Sequence, residues 1–290
     1  MFTGSLVAIV TPFHEGYLDE QAFAHLIEFQ IANGTHGIVP CGTTGESATL
    51  TPVEHERVVA LAVEVAAGRV PVIAGTGSNS TDEAITFTKH AKDAGADGAL
   101  LITPYYNKPT QEGLFQHHAA IAKAVDLPQI LYNIPGRTSV NMTPATVARL
   151  AGIPTIVGIK EGSGSLQQVS DILHQCGETL TVLSGDDALT LPMMALGAKG
   201  VITVTANIAP AEMAGMVNAA LAGDMDAARV GHFKLAPLFS ALFYETNPIP
   251  VKEALGMMKK IHTELRLPLT PMSTDNRDKL HQVLTKAGIL

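Results

Sequence analysis

The sequence is short of basic charge and collects it nowhere. Nineteen lysines and arginines stand against 27 aspartates and glutamates, giving a formal net charge of −8. No Lys/Arg run interrupts the chain, so the basic face that a nucleic-acid partner requires is missing. Cysteine is also scarce: Cys41 and Cys176 cannot build a disulfide framework and suit a reducing compartment. Cys41 is expected to pack as a small hydrophobe. No apolar run approaches the roughly 18 residues of a membrane helix, and "MFTGSLVAIVTPF" lacks the positive flank of a signal peptide. The expectation is a soluble cytoplasmic protein with neither membrane nor nucleic acid as partner.

Several catalytic signatures are absent as well. "GTGSNS" (75–80) lacks the third small residue and the acidic follow-up of a dinucleotide loop, and no P-loop occurs. The eleven histidines show neither H-x-H nor H-E-x-x-H spacing, so no metal site is expected. His117 and His118 are expected on a helix surface. No G-x-S-x-G elbow is present.

What the chain does contain is a repeated unit. Eight apolar runs, "SLVAIVTPF", "GIVPCG", "VPVIAGTG", "GALLITP", "PQILYNIP", "TIVGIKE", "LTVLSGD" and "GVITVTAN", each precede an amphipathic stretch. Runs apolar on both faces suit parallel strands covered by helices. Thr51–Gly68 and Ser80–Gly95 each open on a hydroxyl residue with Glu three positions on and close on Gly, which is capping-box and stop chemistry. Glycine stops also follow at Gly34, Gly152 and Gly223. Eight βα units with right-handed crossovers close into a (β/α)8 barrel. The barrel is expected over residues 1–223, with an appended C-terminal helical subdomain over 224–290.

Catalytic groups of such barrels gather where strands end. There, "TIVGIKEGSG" places Lys160 at the end of a buried run. One reading is a lysine that snorkels to water. The other is an amine whose charge burial removes, free to form a Schiff base with a carbonyl. On that reading Tyr132, one strand over, moves protons and Arg137 holds a substrate carboxylate. Lys89, Lys92, Lys108, Lys199 and Lys252 compete poorly, lying on helices, in a polar loop or at the wrong end. Asp187 is expected to cap the helix that follows it.

Together "GTTGESATL", "PVIAGTGSNST", "TPYYNKPTQEGL", "PQILYNIPGRT", "GIKEGSG", "LSGDD", "VTAN" and "NPIPVK" resemble the dihydrodipicolinate synthase family, in order along essentially the whole chain. The resemblance implies condensation of pyruvate with L-aspartate 4-semialdehyde without a cofactor, in a homotetramer built as a dimer of dimers. It implies Lys160 as the Schiff-base lysine, Tyr132 and Thr44 in a proton relay, and Tyr106 lent across the tight dimer interface. Thr43 would contact the pyruvate carboxylate and Arg137 the semialdehyde carboxylate, with Gly185 and Ile202 lining the lysine pocket. Lys160, Tyr132 and the "G-x-T-G-E" loop are shared with N-acetylneuraminate lyase and its relatives, so a pyruvate-dependent aldolase acting on a sugar acid is the alternative. Thr43–Thr44 and the arginine of "YNIPGRT" point to the synthases. "KEGSG" carries Gly162 where many members have Ala.

The resemblance also implies an allosteric site for L-lysine as a feedback inhibitor, at Ser47, Ala48, His55, Asn79, Glu83 and Tyr105. The competing expectation for Glu83 is a capping-box role toward Ser80.

Overall fold

The eight apolar runs form the strands of one sheet in the computed structural model, which describes residues 2–290. They are β1 (Gly4–Ala8), β2 (Gly37–Val39), β3 (Ile73–Gly75), β4 (Gly98–Ile102), β5 (Gln129–Asn133), β6 (Ile156–Glu161), β7 (Thr181–Ser184) and β8 (Gly200–Thr203). All pairings are parallel, in the order β2-β1-β8-β7-β6-β5-β4-β3. A parallel bridge between Ile38 and Val72 brings β2 to β3 and completes a (β/α)8 barrel.

Alternation along each strand makes two cores. Leu6, Ile73, Leu100, Ile130, Leu183 and Ile202 fill the barrel interior. Their neighbours Val7, Leu131, Ile159, Val182 and Val201 point outward and pack under the helices. Each such side chain contributes about 1.5–3 kcal/mol through burial.

The helices around the barrel are α1 (Glu20–Ala32), α2 (Pro52–Ala66), α3 (Thr81–Asp93), α4 (Gln111–Ala124), α5 (Pro144–Ala151), α6 (Leu166–Cys176), α7 (Thr190–Leu196) and α8 (Pro210–Leu221). Then come α9 (Met225–Ala241), α10 (Ile249–Met257) and α11 (Thr274–Lys286). Leu235, Leu238, Val251, Leu255, Leu280 and Leu284 from these last three share one buried cluster with Val7 and Phe23. The C-terminal helices therefore extend the outer core of the barrel. Among the described residues no helix is long and apolar enough to cross a membrane.

Cap chemistry sets where the helices begin. Thr51 and Glu54 form the full capping box that opens α2, with Pro52 in the first turn. Ser80 does accept from the Glu83 backbone N–H at the start of α3, but the Glu83 side chain turns instead to the Ser78 hydroxyl, so that box is only half made. Gly95 and Gly223 take the left-handed backbone that glycine adopts without strain, whereas Gly152 stays right-handed.

The expectation of surface histidines on α4 fails. This helix packs against α3 on one side and α5 on the other, so its buried arc is wide enough to take in two adjacent positions. His118 is fully enclosed, and His117 is nearly so, with Nδ1 2.9 Å from the Thr81 hydroxyl. Burial pushes His118 down to about 3 and His117 to about 4, so both rings are neutral.

Candidate active site

Strand register decides which groups can meet. Tyr132 of β5 and Lys160 of β6 are level partners in the parallel ladder. Sharing the inward parity of Ile130, Tyr132 belongs to the interior cluster. Lys160 is only 6% exposed, and its amine lies 4.3 Å from the centroid of the Tyr132 ring. None of the ion pairs among the described residues includes it. Burial brings Lys160 down to about 8, against the pull of the Asp187 carboxylate and with help from the Arg137 charge. A minority of the amine, far more than an ordinary lysine offers, is then neutral near physiological pH, and a neutral amine is a nucleophile.

Tyr132 moves the other way. Enclosure pushes its phenol up to about 12, opposed by Arg137 and the Thr43 hydroxyl. It therefore keeps its proton, and can donate or exchange it, across the working pH range.

The amine faces a cavity of about 50 Å³ whose wall includes Thr43, Thr44, Tyr132, Arg137 and Gly185. Gly185 is a close fit: a Cβ would lie 3.1 Å from both the Glu161 carbonyl oxygen and Gly162 Cα, so the neighbouring backbone would have to give by a few tenths of an ångström. Ile202 packs in the interior cluster, and the cavity wall at the end of β8 is Val204. Tyr106 does not line this cavity; it is 91% exposed, at a left-handed φ of 71°.

Two contributors escaped the sequence reading. Asn247, in the loop before α10, donates from Nδ2 to Thr44 Oγ1 at 3.0 Å, and its backbone oxygen accepts from Arg137 Nη2 at 3.2 Å. "NPIPVK" was legible as a motif, but no spacing rule tied it to the loop after β2. Asp187 is the second. It does not cap α7, whose N-cap is Leu189. Its carboxylate accepts instead from the backbone N–H groups of Val204 and Thr205 and from the Thr205 hydroxyl, pinning the β8 end beside Lys160. Burial raises the Asp187 carboxyl, and the hydrogen bonds from Thr205 oppose this.

Next to the lysine pocket lies a larger cavity of about 500 Å³. Ser47, Ala48, His55, Glu83 and Tyr105 line it, while Thr43, Arg137 and Asn247 belong to both walls. Asn79 is behind the wall, donating to the Tyr105 carbonyl at 3.2 Å. His55 stacks on Phe87 and its Nε2 lies 2.8 Å from the Gly75 carbonyl oxygen. Facing an acceptor, Nε2 must carry the proton, which leaves Nδ1 as a buried acceptor with no partner. Burial lowers the ring's pKa and keeps it neutral. Among the described residues no three His, Cys, Asp or Glu side chains cluster as a metal ion needs.

Comparison with known proteins agrees from end to end. The model of the dihydrodipicolinate synthetase family matches residues 1–287. The 4-hydroxy-tetrahydrodipicolinate synthase of Syntrophobacter fumaroxidans is 65% identical over 291 residues, covering 100% of both chains. Among solved structures, the chloride-inhibited dihydrodipicolinate synthase of Acinetobacter baumannii complexed with pyruvate matches with a TM-score of 0.98 at 50% identity, over 100% of each chain. The enzyme of Cyanidioschyzon merolae with lysine bound matches with a TM-score of 0.97 at 42% identity, over 100% of this chain and 99% of that one. Fold, full-length likeness and family model all agree: the chain belongs to the dihydrodipicolinate synthetase family.

Proposed function

We propose that this chain is a 4-hydroxy-tetrahydrodipicolinate synthase, condensing pyruvate with L-aspartate 4-semialdehyde on Lys160. The observation that carries the reading is a buried amine with no ion-pair partner, level with Tyr132 and walled by Thr43, Thr44 and Arg137. Neutral Lys160 attacks the keto carbon of pyruvate, and loss of water leaves an iminium. Its positive nitrogen draws electrons, so the pyruvate methyl releases a proton and becomes the enamine carbon that attacks the aldehyde. Tyr132 carries protons between the amine side and the substrate, with Thr44 beside it. Thr43 meets the pyruvate carboxylate, and the planar fork of Arg137 receives the carboxylate of the semialdehyde. Gly185 and the β8 end, Ile202 included, shape the floor. No cofactor enters the scheme.

Tyr106, exposed on its own chain, reaches the site of a second copy in a tight dimer, and two such dimers make a homotetramer. Residues 224–290 serve as a helical cover to the barrel, and the enzyme works in the cytoplasm. L-Lysine binds the larger cavity as a feedback inhibitor. There the orphan Nδ1 of His55 accepts from the ligand ammonium, and Glu83 adds charge.

Borohydride reduction in the presence of pyruvate, followed by peptide mass mapping, tests the reading. A pyruvate-derived adduct on Lys160 is expected, with turnover of aspartate semialdehyde. Absence of the adduct in folded protein overturns the mechanism, and turnover of sugar aldehydes alone reassigns the substrate. Initial rates unchanged by excess L-lysine would remove the inhibitor.

A further inference from the structure

Outside the lysine pocket, the molecule buries a second lysine. Lys252 of α10 is wholly enclosed, and its ammonium contacts Glu46 at 2.6 Å with both side chains sealed from water. It also donates to the Thr11 carbonyl at 3.0 Å and lies 4.4 Å from the Phe13 ring centroid. Desolvating two charges costs several kcal/mol each, so such a pair is weak support for stability and stronger support for a particular geometry.

The geometry it fixes is that of the loop after β2. Glu46 sits at φ 53° and ψ 36°, the left-handed region that a non-glycine residue avoids. Two residues earlier is Thr44, three earlier Thr43. Every anchor of Glu46's side chain comes from the far end of the chain: Lys252 on one oxygen, the Arg266 backbone N–H on the other at 3.1 Å. Thr11 ties the same loop to β1, its hydroxyl donating to the Gly45 carbonyl at 2.7 Å. The loop that leads into the helix of Lys252 carries Asn247, which holds Thr44 and Arg137. One unit from the C-terminal helices thus holds the threonine loop twice, once from behind through Glu46 and once from the pocket side through Asn247.

We infer that Glu46 and Lys252 are positioning residues, whose buried pair sets the loop carrying Thr43 and Thr44 against the Lys160 pocket. The inference rests on the function proposed above. Neither residue lines the Lys160 cavity; both act through the threonines and Asn247. A loop held this way keeps proton-handling hydroxyls within reach of Tyr132, and misplacing them by about 1 Å can cost ~100-fold in rate.

Wild-type protein is examined first: without a Lys160 adduct the functional reading itself fails, before any variant is made. Given the adduct, Glu46→Gln and the apolar pair Glu46→Leu with Lys252→Met are compared for Tm, adduct yield, kcat and KM. The double variant leaves no unpaired charge, so its Tm should return toward wild type. Its kcat should stay down ~10- to 100-fold while pyruvate still traps on Lys160. A merely structural pair predicts that kcat returns with Tm, and that result overturns the inference. If the double variant does not fold, Glu46→Gln decides alone: folded with wild-type kcat it overturns the positioning role, and folded with lowered kcat and an intact adduct it supports it.

Discussion

Two lysines are buried in this protein, and they have opposite surroundings. Lys252 has a carboxylate at 2.6 Å, a carbonyl at 3.0 Å and an aromatic face. Lys160 has an aromatic face alone, with Asp187 acting from beyond ion-pair distance. Burial lowers the pKa of both. At Lys252 the Glu46 carboxylate opposes that loss directly and turns the ammonium into a fastener. At Lys160 the opposition is weaker, and the result is an amine near 8 that gives up its proton at little cost. Burial makes a lysine costly; the partner decides whether it is structural or reactive.

The sharpest break in this comparison is to remove each ammonium in turn. Lys160→Met should abolish the borohydride adduct and cut turnover by at least ~1,000-fold. Its thermal stability should hold or rise, because a desolvated, unpaired charge has gone. Lys252→Met should instead destabilise by about 3–5 kcal/mol, since Glu46 is left buried without its cation. Equal Tm changes in the two variants would contradict the distinction. Tyr132→Phe removes the hydroxyl of the ring against which the Lys160 amine lies and should lower kcat by ~100-fold or more, measured with adduct formation as the control.

The pH profile comes next. A Lys160 amine near 8 means that imine formation climbs with pH up to about 8 and levels above it, as the neutral form fills. Tyr132, near 12, adds no descending limb below that. Asp187→Asn takes away the negative charge that opposes the lowering, so the midpoint should move below the wild-type value; a midpoint shifted upward would refute the assigned influence. The smallest effect is expected at Gly162→Ala. A Cβ there would meet the Asn133 carbonyl oxygen at 3.2 Å. Side-by-side kinetics should show less than about a threefold change in kcat, under about 0.7 kcal/mol.

Periodic features were legible from the residues alone. All eight strands lie where the apolar runs stand, because parallel strands buried on both faces leave an unbroken apolar signal. Lys160 and Tyr132 were legible for a related reason: a polar group ending such a run stands out. Contacts between distant segments leave no such mark. Glu46 meets Lys252 across 206 residues, and Lys252 in sequence is only a helix-opening lysine. Asp187 looked like a cap because caps are local, yet its hydrogen bonds cross to β8. His117 and His118 were misjudged because a polar doublet on a helix reads as surface, and only the placement of α3 and α5 on both flanks encloses it. Tyr106 makes the converse point. Its role rested on resemblance, and its own chain leaves it in the open.

The fastening of Glu46 from so far along the chain also imposes an order in time. The carboxylate leaves the ribosome 206 residues before its ammonium, a wait of roughly 10–40 s at ~5–20 residues per second. Lys160 and Tyr132 exist long before Lys252 and Arg266 are made. The nascent chain therefore holds a barrel's worth of strands, and its amine, while the threonine loop still lacks the anchor that sets it. The threonine loop gains that anchor only after every strand of the barrel has been made.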